Sequence, residues 1–124
     1  MTISEVSKKF NISTDTLRYY ERIGLIPPVP KNKSGLRDYN DDSFGWIGFI
    51  KCMRNAGLSI ETLTKYVILY HQGDSTINAR MDLLVEQREI LRRKIEDMND
   101  TLKRLDGKID YYKKESSNNQ KNLK

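Results

Sequence analysis

Apolar residues recur along the first 23 positions at the spacing of two short helices separated by a tight turn. Thr2 and Glu5 fit a capping box that would begin the first helix. Residues 11–13 are expected to form the turn, and Ser13 is expected to cap a second helix over residues 14 to about 23. Two helices this short and this close in sequence predict a helix-turn-helix.

Proline, glycine and basic residues follow the second helix and predict a hairpin instead of another helix. Gly24 is expected to end the helix, and the prolines that come after it prevent a helix from resuming. Lys33, Ser34 and Gly35 have the composition of a hairpin tip, and residues 36–39 are expected to return as a strand. A basic hairpin directly after a helix-turn-helix is typical of a winged DNA-binding domain.

Two further amphipathic helices are predicted after this wing. The third helix is expected to begin within residues 41–43 and to end at Gly57. The fourth is expected to begin at Ser59 and to end near Gly73. Residues 1–72 are therefore predicted to form one winged helix-turn-helix DNA-binding domain with two supporting helices.

Residues 76–114 have a different pattern, in which apolar residues alternate at spacings of three and four over more than four heptads. Such a narrow stripe cannot be buried within one chain, so it predicts a homodimeric coiled coil and disfavours a single solvated helix. Arg88 occupies a stripe position and is expected to lower stability and set the register. The predicted dimerisation residues are Met81, Leu84, Leu91, Ile95, Met98, Leu102, Leu105 and Ile109. Residues 115–124 are expected to be a disordered tail.

The fold class predicted from these patterns is mainly α, with a long dimerisation helix after the winged domain. Composition adds a positive charge: 22 Lys and Arg against 17 Asp and Glu give a net charge of +5. This balance is compatible with a polyanionic partner, although a soluble protein with a slightly basic surface would also show it. No apolar run is long enough to cross a membrane, and the N-terminal residues lack the pattern of a signal peptide. We expect a cytoplasmic protein.

Catalytic and metal-binding residues are scarce. No nucleophile–base pair or phosphate loop is recognisable, which argues against an enzyme and against a cofactor. Cys52 and His71 are single residues of their types, too few for a zinc or soft-metal site. His71 is expected instead to lie at a helix end, near the terminal carbonyl groups.

The sequence of residues 14–26, TDTLRYYERIGLI, resembles the recognition-helix signature of the MerR family of transcription regulators. The later runs GLRDY (35–39), FI (49–50) and AGLSI (56–60) continue the family's pattern in order. This resemblance implies a dimer that binds double-stranded promoter DNA. In such promoters the spacer between the two elements that RNA polymerase recognises is overlong. Family members bend and undertwist that DNA so that RNA polymerase can engage both promoter elements.

The resemblance also identifies candidate DNA contacts, because a recognition helix presents its first turns to the major groove. Hydroxyl and guanidinium groups there can reach base edges or phosphates, and the wing can hold the backbone beside the groove. We expect one of the two adjacent tyrosines to be mainly structural, since only one helix face points inward. The predicted DNA-binding residues are Ser13, Thr14, Asp15, Thr16, Arg18, Tyr19, Tyr20, Lys33, Arg37 and Tyr39.

Cys52 is the candidate for an effector site, and its neighbours allow two interpretations. On the third helix the residues one turn away on either side, Gly48 and Ala56, are small. The cysteine could therefore be a small buried hydrophobe at a close helix contact. Alternatively, it is a thiol with room for a small reagent, with Lys51 and Arg54 nearby to favour the thiolate.

The sequence of residues 49–59, FIKCMRNAGLS, resembles the subgroup of MerR regulators that respond to aldehydes and related electrophiles. That resemblance implies that formaldehyde, methylglyoxal or another thiol-reactive electrophile modifies Cys52 and activates transcription, with no stable small-molecule ligand. A nitrosyl, a glutathione mixed disulfide or an intersubunit crosslink are alternative adducts. One alternative function is a MerR-like regulator with a structural Cys52 and a different or no effector. A coiled-coil adaptor for protein partners is an alternative from another class.

Overall fold

The computed structural model describes residues 1–122, which contain five α-helices and one short 3-10 turn. The mainly helical fold class with a long C-terminal helix is thereby confirmed. Two compact units are present, Met1–Leu84 and a second that begins at Val85. The elements are α1 (Ile3–Phe10), α2 (Thr14–Arg22), α3 (Asp41–Asn55), α4 (Ile60–His71), the 3-10 turn (Asp74–Thr76) and α5 (Ile77–Asn122).

Local capping defines the helix-turn-helix. The Thr2 side chain accepts a hydrogen bond from the Glu5 amide, and the Glu5 side chain accepts one from the Thr2 amide, so the predicted capping box is present. Asn11 ends α1 in the left-handed conformation, with φ of 53°. Ser13 begins α2 by accepting a hydrogen bond from the Thr16 amide at 3.1 Å. These short-range bonds satisfy backbone groups that a helix end leaves free.

The wing, residues 29–39, is a hairpin without a regular strand. We predicted a strand over residues 36–39, whereas the wing has one isolated antiparallel bridge, between Lys31 and Arg37. Beside it, the Asp38 amide donates to the Pro30 carbonyl oxygen at 2.7 Å. Pro30 has no amide hydrogen of its own, so it cannot return a second ladder bond. The pairing is therefore too short to count as a strand.

Helix α3 begins at Asp41, which lies within the start predicted at residues 41–43. Its cap is Asn40, whose side chain accepts a hydrogen bond from the Ser43 amide at 3.0 Å. Asparagine is a favoured capping residue because its side-chain oxygen can accept from a backbone amide of the first turn. Helix α4 is capped by Ser59 as predicted, through a bond of 3.1 Å from the Thr62 amide.

One hydrophobic core joins the helix-turn-helix, the wing and the two supporting helices. From α3 it takes Ile47 and Ile50, which are fully buried, whereas Trp46 and Phe49 lie at its partly buried margin. The wing contributes Tyr39, which is 2% exposed. The core residues are Val6, Leu17, Tyr20, Leu25, Ile26, Val29, Tyr39, Ile47, Ile50, Leu58, Leu63 and Val67. This arrangement fixes the wing and α2 in one packed unit.

Helix α5 runs 46 residues, to Asn122, which is beyond the predicted end at residue 114. The expected disordered tail is therefore helical over residues 115–122, and residues 123–124 lie outside the described residues. No proline or glycine follows Gly107 in the described part, so the strongest helix-ending residues are absent from this segment. Along α5 the predicted dimerisation residues are exposed, except Leu91, which is half-buried.

Candidate DNA-binding surface and cysteine site

Helix α2 presents a polar face to solvent at its first turns. Ser13 and Thr16 are joined side chain to side chain at 2.8 Å, as well as through the cap. Arg18 donates to the Asp15 carboxylate at 3.3 Å, and both side chains are more than half exposed. Thr14 is half-buried. The exposed Asp15–Arg18 pair is therefore free to rearrange around a ligand, because surface pairs of this kind contribute little stability.

The two adjacent tyrosines of α2 have different environments. Tyr20 is only 8% exposed and shares the buried face of the helix with Leu17, three residues earlier. Tyr19 is 38% exposed, and the Arg22 guanidinium lies over its ring at 5.4 Å from the centroid. Tyr20 is consequently the structural member of the pair, as expected for one of the two tyrosines, and its contact with DNA stays a prediction.

Tyr39 also belongs to the core instead of the exposed wing. The Tyr39 amide donates a hydrogen bond to the Met1 carbonyl oxygen at 2.8 Å. This bond holds the returning limb of the wing, residues 36–39, against the residues that precede α1. The Tyr39 hydroxyl is buried and makes no hydrogen bond to any of the residues that the structure describes. Burial raises the pKa of Tyr39, and the nearby Glu21 carboxylate raises it further. The alternation of side chains along this limb turns Tyr39 inward, so it has a structural role in the core, and its contact with DNA stays a prediction.

A cleft of about 430 Å³ lies between α2 and the wing and is lined by Arg18, Glu21, Arg22 and Arg37. We call it the arginine cleft. Three guanidinium groups face one carboxylate there, so the cleft carries excess positive charge. Arginine is well suited to phosphate because its planar fork can donate two parallel hydrogen bonds. Of these residues, Glu21 and Arg22 were absent from the predicted contacts, although their spacing from Arg18 along α2 places all three on one helix face.

Glu21 connects the recognition helix to both limbs of the wing. One carboxylate oxygen, Oε1, accepts a hydrogen bond from Arg37 Nε at 2.5 Å. The other, Oε2, accepts from the Val29 amide at 3.3 Å. The bond to Glu21 raises the pKa of Arg37.

The predicted contact at the tip of the wing, Lys33, is exposed to solvent.

Cys52 lies on the exposed side of α3. A methyl group added at Gly48 would meet only a Phe10 ring carbon, at 3.6 Å, and one added at Gly45 would meet nothing within 4 Å. Within one protomer the surface beside Gly45 is therefore open, and the side chain of Phe10 in α1 reaches only van der Waals distance from Gly48. This geometry favours the accessible-thiol interpretation over the packing one.

The two basic neighbours of Cys52 are engaged with backbone carbonyls. Lys51 Nζ donates to the Phe10 carbonyl oxygen at the end of α1. Arg54 Nη1 donates to the Leu58 carbonyl oxygen at 2.7 Å, just before α4. Lys51 thus joins α3 to the end of α1, Arg54 joins it to the turn before α4, and neither side chain hydrogen-bonds to the sulfur.

Residues 1–122 contain no group of three or more His, Cys, Asp and Glu side chains placed to hold a metal ion. None of the helices in this part of the chain has both the length and the hydropathy needed to span a bilayer.

Two family models match the chain. One describes the MerR HTH family of regulatory proteins and matches residues 1–67; the other describes MerR DNA binding and matches residues 45–108. The chain is 54% identical to the HTH-type transcriptional regulator AdhR of Bacillus subtilis over 91 residues, which is 73% of this chain. That match spans 65% of AdhR, just under two thirds of its length. The regulator YyaN of the same organism is 33% identical over 90% of this chain and 89% of its own length.

Solved structures give the same similarity. A MerR-family transcriptional regulator from Listeria monocytogenes superposes with a TM-score of 0.92 at 46% identity, covering 99% of this chain and 93% of that one. HiNmlR, described as a MerR family regulator that lacks the sensor domain, was solved bound to promoter DNA. It superposes with a TM-score of 0.82 at 29% identity, covering 91% and 90% of the two chains.

Proposed function

Because the chain belongs to the MerR family of DNA-binding transcription regulators, we propose that it acts on promoter DNA as a homodimer and activates transcription when an electrophile modifies Cys52. The matched family and relatives are transcription regulators and not enzymes. The observation that carries the DNA-binding part is the arginine cleft, where the recognition helix and the wing meet in one positively charged surface.

Contacts in the arginine cleft would position the protein on the DNA backbone. The side chain of Arg18 is 58% exposed and that of Arg37 is 41% exposed, so both guanidinium groups can meet a phosphate without unfolding their surroundings. The exposed Tyr19 and the first turn of α2 would then face the major groove. Lys33 at the wing tip would add a further backbone contact.

A homodimer would cover the exposed apolar stripe of α5. Met98 is 71% exposed and Ile95 is 51% exposed, an unfavourable state for large apolar side chains on a lone helix in water. Pairing with a second copy buries these residues at heptad positions. Two DNA-binding domains held at a fixed separation could then distort the promoter DNA and make it competent for RNA polymerase.

The chemistry at Cys52 requires only a thiol and a carbonyl compound. When the sulfur adds to formaldehyde or methylglyoxal, an S–C bond forms and the carbonyl π bond breaks. The thiol proton ends on the former carbonyl oxygen, which gives a hemithioacetal without any oxidant. The exposure of Cys52 and the open surface beside Gly45 leave room for this addition.

An adduct at Cys52 could reach the DNA-binding surface through α3. Lys51 and Arg54, on either side of the thiol, bond α3 to the end of α1 and to the residues before α4. Phe10 of α1 also packs on α3, with its ring 6.2 Å from that of Phe44. A small tilt of α3 would consequently be transmitted to the helix-turn-helix, because packed helices shift as units.

Two measurements test this proposal. The wild-type protein is used to select duplexes from a random-sequence library, and its affinity for a selected duplex is measured against salt concentration. We expect a steep decrease in affinity with salt, and a flat dependence or no selection would favour the protein-adaptor alternative. In the native wild-type protein, formaldehyde or methylglyoxal is expected to slow the reaction of the single thiol, Cys52, with a chromogenic disulfide, and removal of the aldehyde by dialysis should restore the rate, because a hemithioacetal forms reversibly. An unchanged rate would favour a structural Cys52.

A further inference from the structure

Glu21 is an acidic residue at the centre of a surface that we propose binds phosphate. The carboxylate accepts two hydrogen bonds, one from each limb of the wing: Val29 N–H on the outgoing limb and Arg37 Nε on the returning limb. Glu21 itself lies in the last turn of α2. A single side chain therefore fixes both limbs relative to the recognition helix.

The two partners of this ion pair differ in depth. The Glu21 side chain is 12% exposed, whereas that of Arg37 is 41% exposed. An incoming phosphate would therefore meet the guanidinium first, with the carboxylate beneath it. Because Glu21 engages Nε, the two terminal nitrogens of Arg37 keep their hydrogens available for a bidentate phosphate contact.

We propose that Glu21 is a positioning residue for DNA binding, which holds Arg37 and the wing in the arrangement that receives a backbone phosphate. This inference rests on the proposed DNA-binding function. Glu21 acts through Arg37 and does not itself touch the DNA. Fixing the guanidinium in advance lowers the entropy lost when the phosphate contact forms.

This role and simple electrostatics lead to opposite expectations. A carboxylate close to a phosphate repels it, so neutralising Glu21 should tighten binding if charge alone matters. If Glu21 positions Arg37, the same change should weaken binding. A glutamine has one acceptor oxygen in place of two carboxylate oxygens, so its side chain cannot satisfy the Val29 amide and Arg37 with separate oxygens.

The test measures affinity and its salt dependence for a duplex that the wild-type protein selected. For Glu21→Gln we expect a loss on the order of tenfold, as for one charged hydrogen bond, with a salt slope smaller in magnitude by about 1. Glu21→Asp keeps the charge but shortens the reach, and it should also weaken binding. Glu86→Gln, an exposed position on α5, controls for the change in net charge. Thermal unfolding followed by circular dichroism identifies a temperature at which every variant is folded, and all affinities are measured at that temperature.

A double-mutant cycle identifies the route of the effect. In an Arg37→Ala background, Glu21→Gln should cause little further loss, because its effect passes through the missing guanidinium. Unchanged or tighter binding by Glu21→Gln would overturn the inference, as would wild-type affinity in Glu21→Asp or an equal loss in the Arg37→Ala background. If the wild-type protein shows no salt-dependent binding to any selected duplex, the proposed function itself fails, and the inference fails with it.

Discussion

Truncating the buried leucine of the recognition helix should unfold the DNA-binding domain far more readily than truncating an exposed leucine of the wing. Leu17 is fully buried, whereas Leu36 is 65% exposed. Leu17→Ala removes the apolar contacts of a core residue and leaves a cavity, with an expected loss of about 3 kcal/mol in the free energy of unfolding. Leu36→Ala should change that free energy by less than about 0.5 kcal/mol.

The assay is urea unfolding followed by circular dichroism and by the fluorescence of Trp46, which lies at the margin of the core. For a denaturant slope of about 1.5 kcal/mol/M, Leu17→Ala should move the midpoint down by about 2 M. All proteins are compared at one concentration, because self-association makes apparent stability depend on concentration. Equal midpoints for Leu17→Ala and Leu36→Ala would refute the assignment of Leu17 to the core.

Three further predictions concern caps and pairing. Asn40→Ala should lower the free energy of unfolding by about 1 kcal/mol, and Asn40→Asp should restore most of it in the same urea assay, since the aspartate keeps an acceptor for the α3 cap. The hydrogen bonds between Glu5 and Thr2 lower the pKa of the Glu5 carboxyl. The stability that the ionised Glu5 contributes is therefore present above the ordinary pKa of a glutamate and is lost as the pH falls through the lowered value. Melts should therefore show Glu5→Gln less stable than the wild type at neutral pH and equal to it in acid; a pH-independent difference would contradict this. Leu102→Asp, on the apolar stripe of α5, should give monomers in sedimentation, while Lys103→Asp, off the stripe, should leave the wild-type state.

Local signals in the sequence were sufficient for most of the secondary structure. The caps formed by Thr2, Ser13 and Ser59 depend on residues three positions apart, so they can be recognised without knowing the fold. The start of α3 was predicted within residues 41–43 and lies at Asp41, whereas its capping residue, Asn40, was not predicted because several residues of equal capping ability follow it. The end of α5 was misplaced because a polar composition resembles disorder, although the segment contains no proline or glycine, the strongest helix breakers.

Contacts between distant residues were beyond the sequence patterns. Glu21 and Arg37 are 16 positions apart, and only the packing of the wing on α2 brings them together. The inward orientation of Tyr39 likewise depends on how the returning limb meets the core. Cys52 was identified by sequence alone. Its exposure required the structure, as did the bonds that its neighbours Lys51 and Arg54 make to the end of α1 and to Leu58 in the turn before α4.

The most direct test of the proposed switch is transcription in vitro from a promoter that the protein binds, with purified RNA polymerase and with or without formaldehyde or methylglyoxal. The wild type and Cys52→Ser are compared at concentrations that saturate the DNA. We predict that the aldehyde raises transcription with the wild type and has no effect with Cys52→Ser, while both proteins bind the promoter equally. Equal induction of the two proteins, or none with either, would contradict the assignment of Cys52 as the sensor.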